Sequence, residues 1–85
     1  MKEYVVDCSK IHNPEDFHDY LVEVLTLPDW YGTNLDALYD CLTAITGETW
    51  ITLRHFDRLE DQYAGFRDVF QDAQEDNPRL RITIE

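Results

Sequence analysis

No lysine or arginine occurs between Ile11 and Leu53 of this 85-residue chain. The seven basic residues are Lys2, Lys10, Arg54, Arg58, Arg67, Arg79 and Arg81. The cation-free gap holds eight acids: Glu15, Asp16, Asp19, Glu23, Asp29, Asp36, Asp40 and Glu48. The formal net charge of −11 repels nucleic acid and acidic membranes and draws basic partners, whose encounter it speeds at low salt. Cysteine is scarce as well. Cys8 and Cys41 have no metal-site spacing and build no disulfide framework, so buried free thiols in a reducing compartment are expected, with a pairing left open. No stretch is apolar and long enough to cross a membrane, and the start does not read as a secretion signal, so the expected location is cytoplasmic.

No repeat, low-complexity segment or linker interrupts the chain, and residues 1–85 read as one domain. The 44% apolar content and eleven aromatics oppose disorder. A chain of this size buries only about 60% of its unfolded surface, which allows one modest core and little depth for a catalytic cleft.

The first element is a strand near Glu3–Cys8. Asn13-Pro14-Glu15-Asp16 is a helix start: a capping side chain, a first-turn proline, then acids at the positive end of the dipole. Phe17, Leu21, Val24 and Leu25 give that helix one buried face, and it ends by Leu27, before Pro28. A second helix begins after Gly32 with Thr33 or Asn34 as cap, and Leu35, Leu38, Leu42 and Ile45 form its inner stripe. Thr49–Leu53 reads as a strand and Phe56–Glu60 as a short helical turn. A third main helix spans about Ala64–Glu75, burying Phe66, Val69, Phe70 and Ala73, and Asn77-Pro78 stops it. Leu80–Ile84 alternates as a last strand. This order predicts a small α/β fold, a three-stranded parallel sheet packed with helices through right-handed connections.

The segment Leu27–Thr43, LPDWYGTNLDALYDCLT, carries the chemistry. Opposite the leucine stripe, Asp36, Asp40 and Thr43 stand at i, i+4 and i+7 with Tyr39 beside them. Like charges at that spacing weaken a helix by about 0.2–0.5 kcal/mol, and no cation relieves them. Each residue also has an ordinary explanation. Thr33-Asn34-Leu35-Asp36 fits a capping box, which would occupy Asp36 at the helix start. Tyr39 can be half-buried packing, Thr43 an unremarkable late-helix residue, and Trp30 and Tyr31 a lid beneath the turn. Asp40 lies too far along for a capping role. Together these residues describe a surface for a cationic, concave partner.

Leu27-Pro28, Tyr31-Gly32, Asn34-Leu35-Asp36-Ala37-Leu38 and Asp40-Cys41-Leu42-Thr43 closely resemble the signature of the barstar family, intracellular inhibitors of barnase-type ribonucleases. The likeness extends to Phe17, to Arg54 and Phe56, to Val69-Phe70 and to Ile82-Thr83-Ile84. It implies a barstar-like fold and a protein that plugs a ribonuclease active site with an acidic helix in place of RNA phosphates. On that resemblance Asp40 takes the scissile-phosphate position and Asp36 meets a basic group at the rim. Trp30 stands at the family's tyrosine that stacks on the catalytic histidine, and Tyr39 at a contact tryptophan. Thr43 and the Gly32, Asn34 and Leu35 turn add hydrogen bonds, and Asp72 matches an acidic contact that is Glu in the family. The implied partner is a basic, extracellular-type ribonuclease bound by a monomer in a 1:1 heterodimer, with no nucleic acid, membrane or cofactor. Departures lie at the periphery. Ile45 replaces a second contact tryptophan, Asp72 is one methylene shorter than Glu, and the Ala44–Trp50 loop is one residue shorter and lacks a proline.

Other classes fit less well. Two exposed aspartates on one helix lack the contrasting environments that separate an acid from a base, and His12, His18 and His55 show no catalytic or zinc spacing. No calcium-loop pattern surrounds Asp36 and Asp40. The alternative that survives is a barstar-fold binding or regulatory module whose partner is not a ribonuclease, because fold alone does not fix function.

Overall fold

The computed structural model describes all residues, Met1–Glu85. Three strands, β1 (Lys2–Asp7), β2 (Thr49–Arg54) and β3 (Leu80–Ile84), are joined by three helices: α1 (Pro14–Leu25) and α2 (Leu35–Thr43) between the first two strands, and α3 (Ala64–Asp76) between the last two. The strands form one parallel sheet in the order β1-β2-β3, with Tyr4 opposite Ile51 and Ile51 opposite Ile82. The expected α/β fold is therefore present. Three short 3-10 turns, Cys8–Lys10, Phe56–Arg58 and Asp61–Tyr63, complete it; only the second was anticipated in the sequence.

The starts of α1 and α2 follow from local chemistry. Asn13 Oδ1 accepts from Asp16 N at 2.8 Å, and Asn34 Oδ1 accepts from Ala37 N at 2.8 Å. The capping box over Thr33–Asp36 does not form, because Asn34 and not Thr33 is the cap, and Asp36 falls at the second helical position. Thr33 instead takes a left-handed φ of 48°. Thr26 ends α1 in the same region at φ 53°, a conformation unusual for a β-branched residue. β1 sits one residue earlier than expected, since Cys8 turns out of the strand into a 3-10 turn.

One core holds the elements together. Val6, Ile51, Leu53 and Leu80 project from one sheet face onto Phe17 and Leu21 of α1, Leu38 and Leu42 of α2, and Phe66, Phe70 and Ala73 of α3. Phe17 is its hub, fully buried and stacked on Phe66 at 4.4 Å between centroids, with Phe56 and Tyr63 at 6.3 and 6.1 Å. Val24, Leu25, Val69 and Ile45 are only partly buried at its edge. The other sheet face is left largely to solvent. Val5 is 54% exposed, and even on the central strand Trp50 and Thr52 are only half-buried. Parallel sheets are usually covered on both faces; here polar side chains line the bare one. Trp50 Nε1 donates to Thr83 Oγ1 at 2.8 Å, and Arg54 pairs with Glu85 at 3.7 Å.

Candidate functional site

The leucine stripe orients α2. Leu38 and Leu42 are fully buried, so Asp36 and Asp40 emerge on the opposite side, both exposed. Neither carboxylate has a basic partner, because the two salt bridges, Arg54–Glu85 and Arg67–Asp57, lie elsewhere. Both carboxylates are therefore open to solvent and to a partner.

The α1–α2 connection is fixed from beneath. Tyr31 is buried and its hydroxyl bonds Nδ1 of His18, itself buried on α1 against Phe66 at 4.9 Å between ring centroids. Burial lowers the His18 pKa, because a charged imidazole would lose hydration, while the Asp19 carboxylate opposes that shift. Burial likewise raises the Tyr31 phenol above its ordinary value. Tyr31 is thus the lid, and Trp30 is not: the neighbouring indole is 65% exposed. Trp30 rims a groove of about 340 Å³ between the α1–α2 connection, the end of α2 and the starts of β1 and β2. Gly32 needs no unusual φ. Space there is tight: a Cβ would lie 3.1 Å from Asn34 Nδ2, which donates to Gly32 O at 3.2 Å and would have to shift by a few tenths of an ångström.

Three of the expected residues spend their polar groups internally. Both ends of the Asn34 amide serve the turn and the cap. Thr43 Oγ1 donates back to Tyr39 O at 2.9 Å and Asp40 O at 3.3 Å, within its own helix. Tyr39 is half-buried, and its hydroxyl donates to Asp76 Oδ2 on α3. That hydrogen bond is the chief reason the Tyr39 pKa is raised, followed by burial and the carboxylates of Asp76, Asp72 and Asp40. Asp40 on α2 and Asp72 and Asp76 on α3 are all exposed, and the Tyr39–Asp76 bond ties the two helices, so together they present one acidic surface. Leu35 is half-buried at the α2–α3 contact, where Gly65 admits it; a Cβ on Gly65 would come within 2.8 Å of Leu35 Cδ1.

The structure brings Asp36, Tyr39, Asp40, Thr43 and Asp72 onto adjoining helices, with Trp30 at the flank beyond the α1–α2 turn. Sequence reasoning missed His18, Gly65, Asp76 and Asn77. His18 had a visible signal, since it falls three and seven residues before Leu21 and Leu25 on the inner face of α1. The others had none, because their partners are distant in sequence. Cys8 and Cys41 are buried free thiols, and burial pushes the Cys8 pKa up to about 12. No group of three or more metal-ligating side chains is assembled anywhere.

A sequence model of the family described as "Barstar (barnase inhibitor)" matches residues 1–85. The chain is also similar to a Bacillus subtilis (strain 168) protein named "Putative ribonuclease inhibitor YrdF", with 35% identity over 91 residues and complete coverage of both chains. Matched along its whole length, this chain belongs to the barstar family.

Proposed function

We propose that this protein inhibits a barnase-like ribonuclease by seating α2 in the enzyme's basic active site, where its carboxylates stand in for RNA phosphates. The observation that carries the reading is the pair Asp36 and Asp40, solvated, without cationic neighbours, and raised on a helix anchored by buried leucines. Asp40 takes the place of the scissile phosphate among the enzyme's cationic groups, and Asp36 binds at the rim. Trp30, already exposed, stacks on the catalytic histidine of the enzyme. Exposed Trp, Tyr and Arg are the residue types that most often anchor interfaces. The Tyr39 ring, Thr43, the Gly32, Asn34 and Leu35 turn and Asp72 complete the contact. The complex is 1:1, forms in the cytoplasm and excludes RNA from the site.

The test is RNA cleavage by barnase with and without the protein, titrated through equimolar ratio. Inhibition that saturates at one equivalent is expected. Unchanged cleavage, together with capture of a different basic protein from the source cell, would favour the binding-module reading that Ile45 and Asp72 keep open.

A further inference from the structure

We propose that Asp76 and Asn77, at the carboxy-terminal end of α3, are positioning residues that latch the second half of α2 and fix the direction in which Asp40 points. The inference rests on the reading of α2 as the inhibitory helix.

A helix of nine residues has little stability of its own and depends on what grips it. The start of α2 is held locally by the Asn34 cap. Its end lacks the usual devices: no basic residue lies in the last turn, and Ala44 continues in the right-handed region where a glycine would normally break away. The last carbonyls of a helix have no partner within it, and leaving them buried and unbonded is costly. Leu42 O already accepts from Ile45 N at a long 3.4 Å, and Asn77 adds shorter bonds from another element. Its Nδ2 donates to Leu42 O at 3.1 Å and to Ile45 O at 3.0 Å. Its Oδ1 accepts from Arg79 N at 3.1 Å, so the 5%-exposed amide is committed at both ends.

Asp76 grips the same stretch from the outer side through the Tyr39 hydroxyl. Asp76 shares the acidic surface of α2 and α3, yet its own helix does not favour an acid there. It lies at the negative end of the α3 dipole, follows Glu75 directly, and has no salt bridge. Tyr39 precedes Asp40, and Leu42 follows it one residue beyond Cys41. Adjacent residues of α3 therefore hold α2 on both sides of the central carboxylate. At the other end of the contact, Gly65 lets α3 close onto Leu35. A helix fixed in this way before binding loses less conformational freedom when the partner arrives.

The latch predicts that the Asp76 acceptor matters and its charge does not. In binding to barnase, Asp76→Ala should dissociate about fivefold faster, the factor one hydrogen bond is worth. Asp76→Asn, which keeps an acceptor for Tyr39, should stay within about twofold of the native protein by the same reasoning. Tyr39→Phe should add no loss in the Asp76→Ala background. Equal losses for Asp76→Asn and Asp76→Ala, or a full Tyr39→Phe loss in that background, would overturn the latch. Asp40→Ala run alongside separates the two readings, since its failure to weaken binding rejects the inhibitory helix itself. Amide hydrogen exchange of the free protein then still decides the latch. Exchange at residues 40–45 should quicken in Asp76→Ala and not in Asp76→Asn, with β2 unchanged; no difference between the variants would reject it. Asn77→Ala should extend the loosening to Thr46. Should it fail to fold, the surface variants at 39 and 76 carry the test.

Discussion

Asp40 shows how much one residue's role depends on what it does not touch. It is exposed and unpaired, so truncation removes no internal contact. Asp40→Ala should not lower the melting temperature, while weakening the barnase complex by about 2–5 kcal/mol or more, the cost of truncating one partner of a buried charge pair. Calorimetric titration beside a thermal melt checks both halves. Asp36→Ala should cost less affinity and slightly more stability, about 0.3–1 kcal/mol, because an acid in the first turn of α2 complements its dipole. His18 makes the opposite kind of claim. Its folded pKa lies below its unfolded value of about 6.5. Above that pH both states are neutral and the buried ring costs nothing. As pH falls through it, only the unfolded chain takes up the proton and stability declines. Urea midpoints should therefore drop between pH 7.5 and 5.5 in the native protein and fall less steeply in His18→Gln. These charges were legible in the sequence as residues, but His18 bonded to Tyr31 was not, because the pair is 13 positions apart.

At the scale of elements, what was legible was what is local. Asn13 and Asn34 each satisfy an amide three residues on, a bond visible in sequence spacing alone. Asn34→Ala should destabilise the protein by about 1 kcal/mol, measurable by urea unfolding. It should also loosen the Gly32 carbonyl, which receives the other end of the amide. The misplaced capping box has the same origin. Thr33 and Asn34 are both capping types, and the choice between them fell to the backbone, which put Thr33 in the left-handed region. The grip of α3 on α2 had no local signal. Asn77 beside Pro78 reads as a helix stop, and its bonds to Leu42 and Ile45 span 35 and 32 residues.

The whole molecule is a small core carrying a large charge. Phe17 touches three other aromatic rings at its centre, so Phe17→Ala should cost about 3–5 kcal/mol. Against a total stability of about 5–15 kcal/mol for a domain, that loss is a large share and should lower the urea midpoint steeply by circular dichroism. The net charge of −11 acts at longer range. The Debye length is about 10 Å at 0.1 M salt and about 3 Å at 1 M, so added salt should slow association with barnase by tenfold or more, about the factor steering supplies. An on-rate in stopped flow that ignores ionic strength would remove steering from the account.

The sequence by itself determined the main strands and helices and the uncompensated acids on one side of α2, from periodicity, capping and charge over a few residues, and the parallel pairing, from the helical crossovers between strands. Only the tertiary structure decided which candidate side chains remain free for a partner. Trp30 and Tyr31 are neighbours with similar rings, yet one is exposed and the other is spent on His18. Tyr39 has its hydroxyl engaged by another helix, whereas Asp36 and Asp40 have no such partner. The physical reason is that a hydrogen bond depends on distance in space. Chain folding brings Asp76 to Tyr39 from 37 residues away, and no pattern along the sequence encodes that meeting.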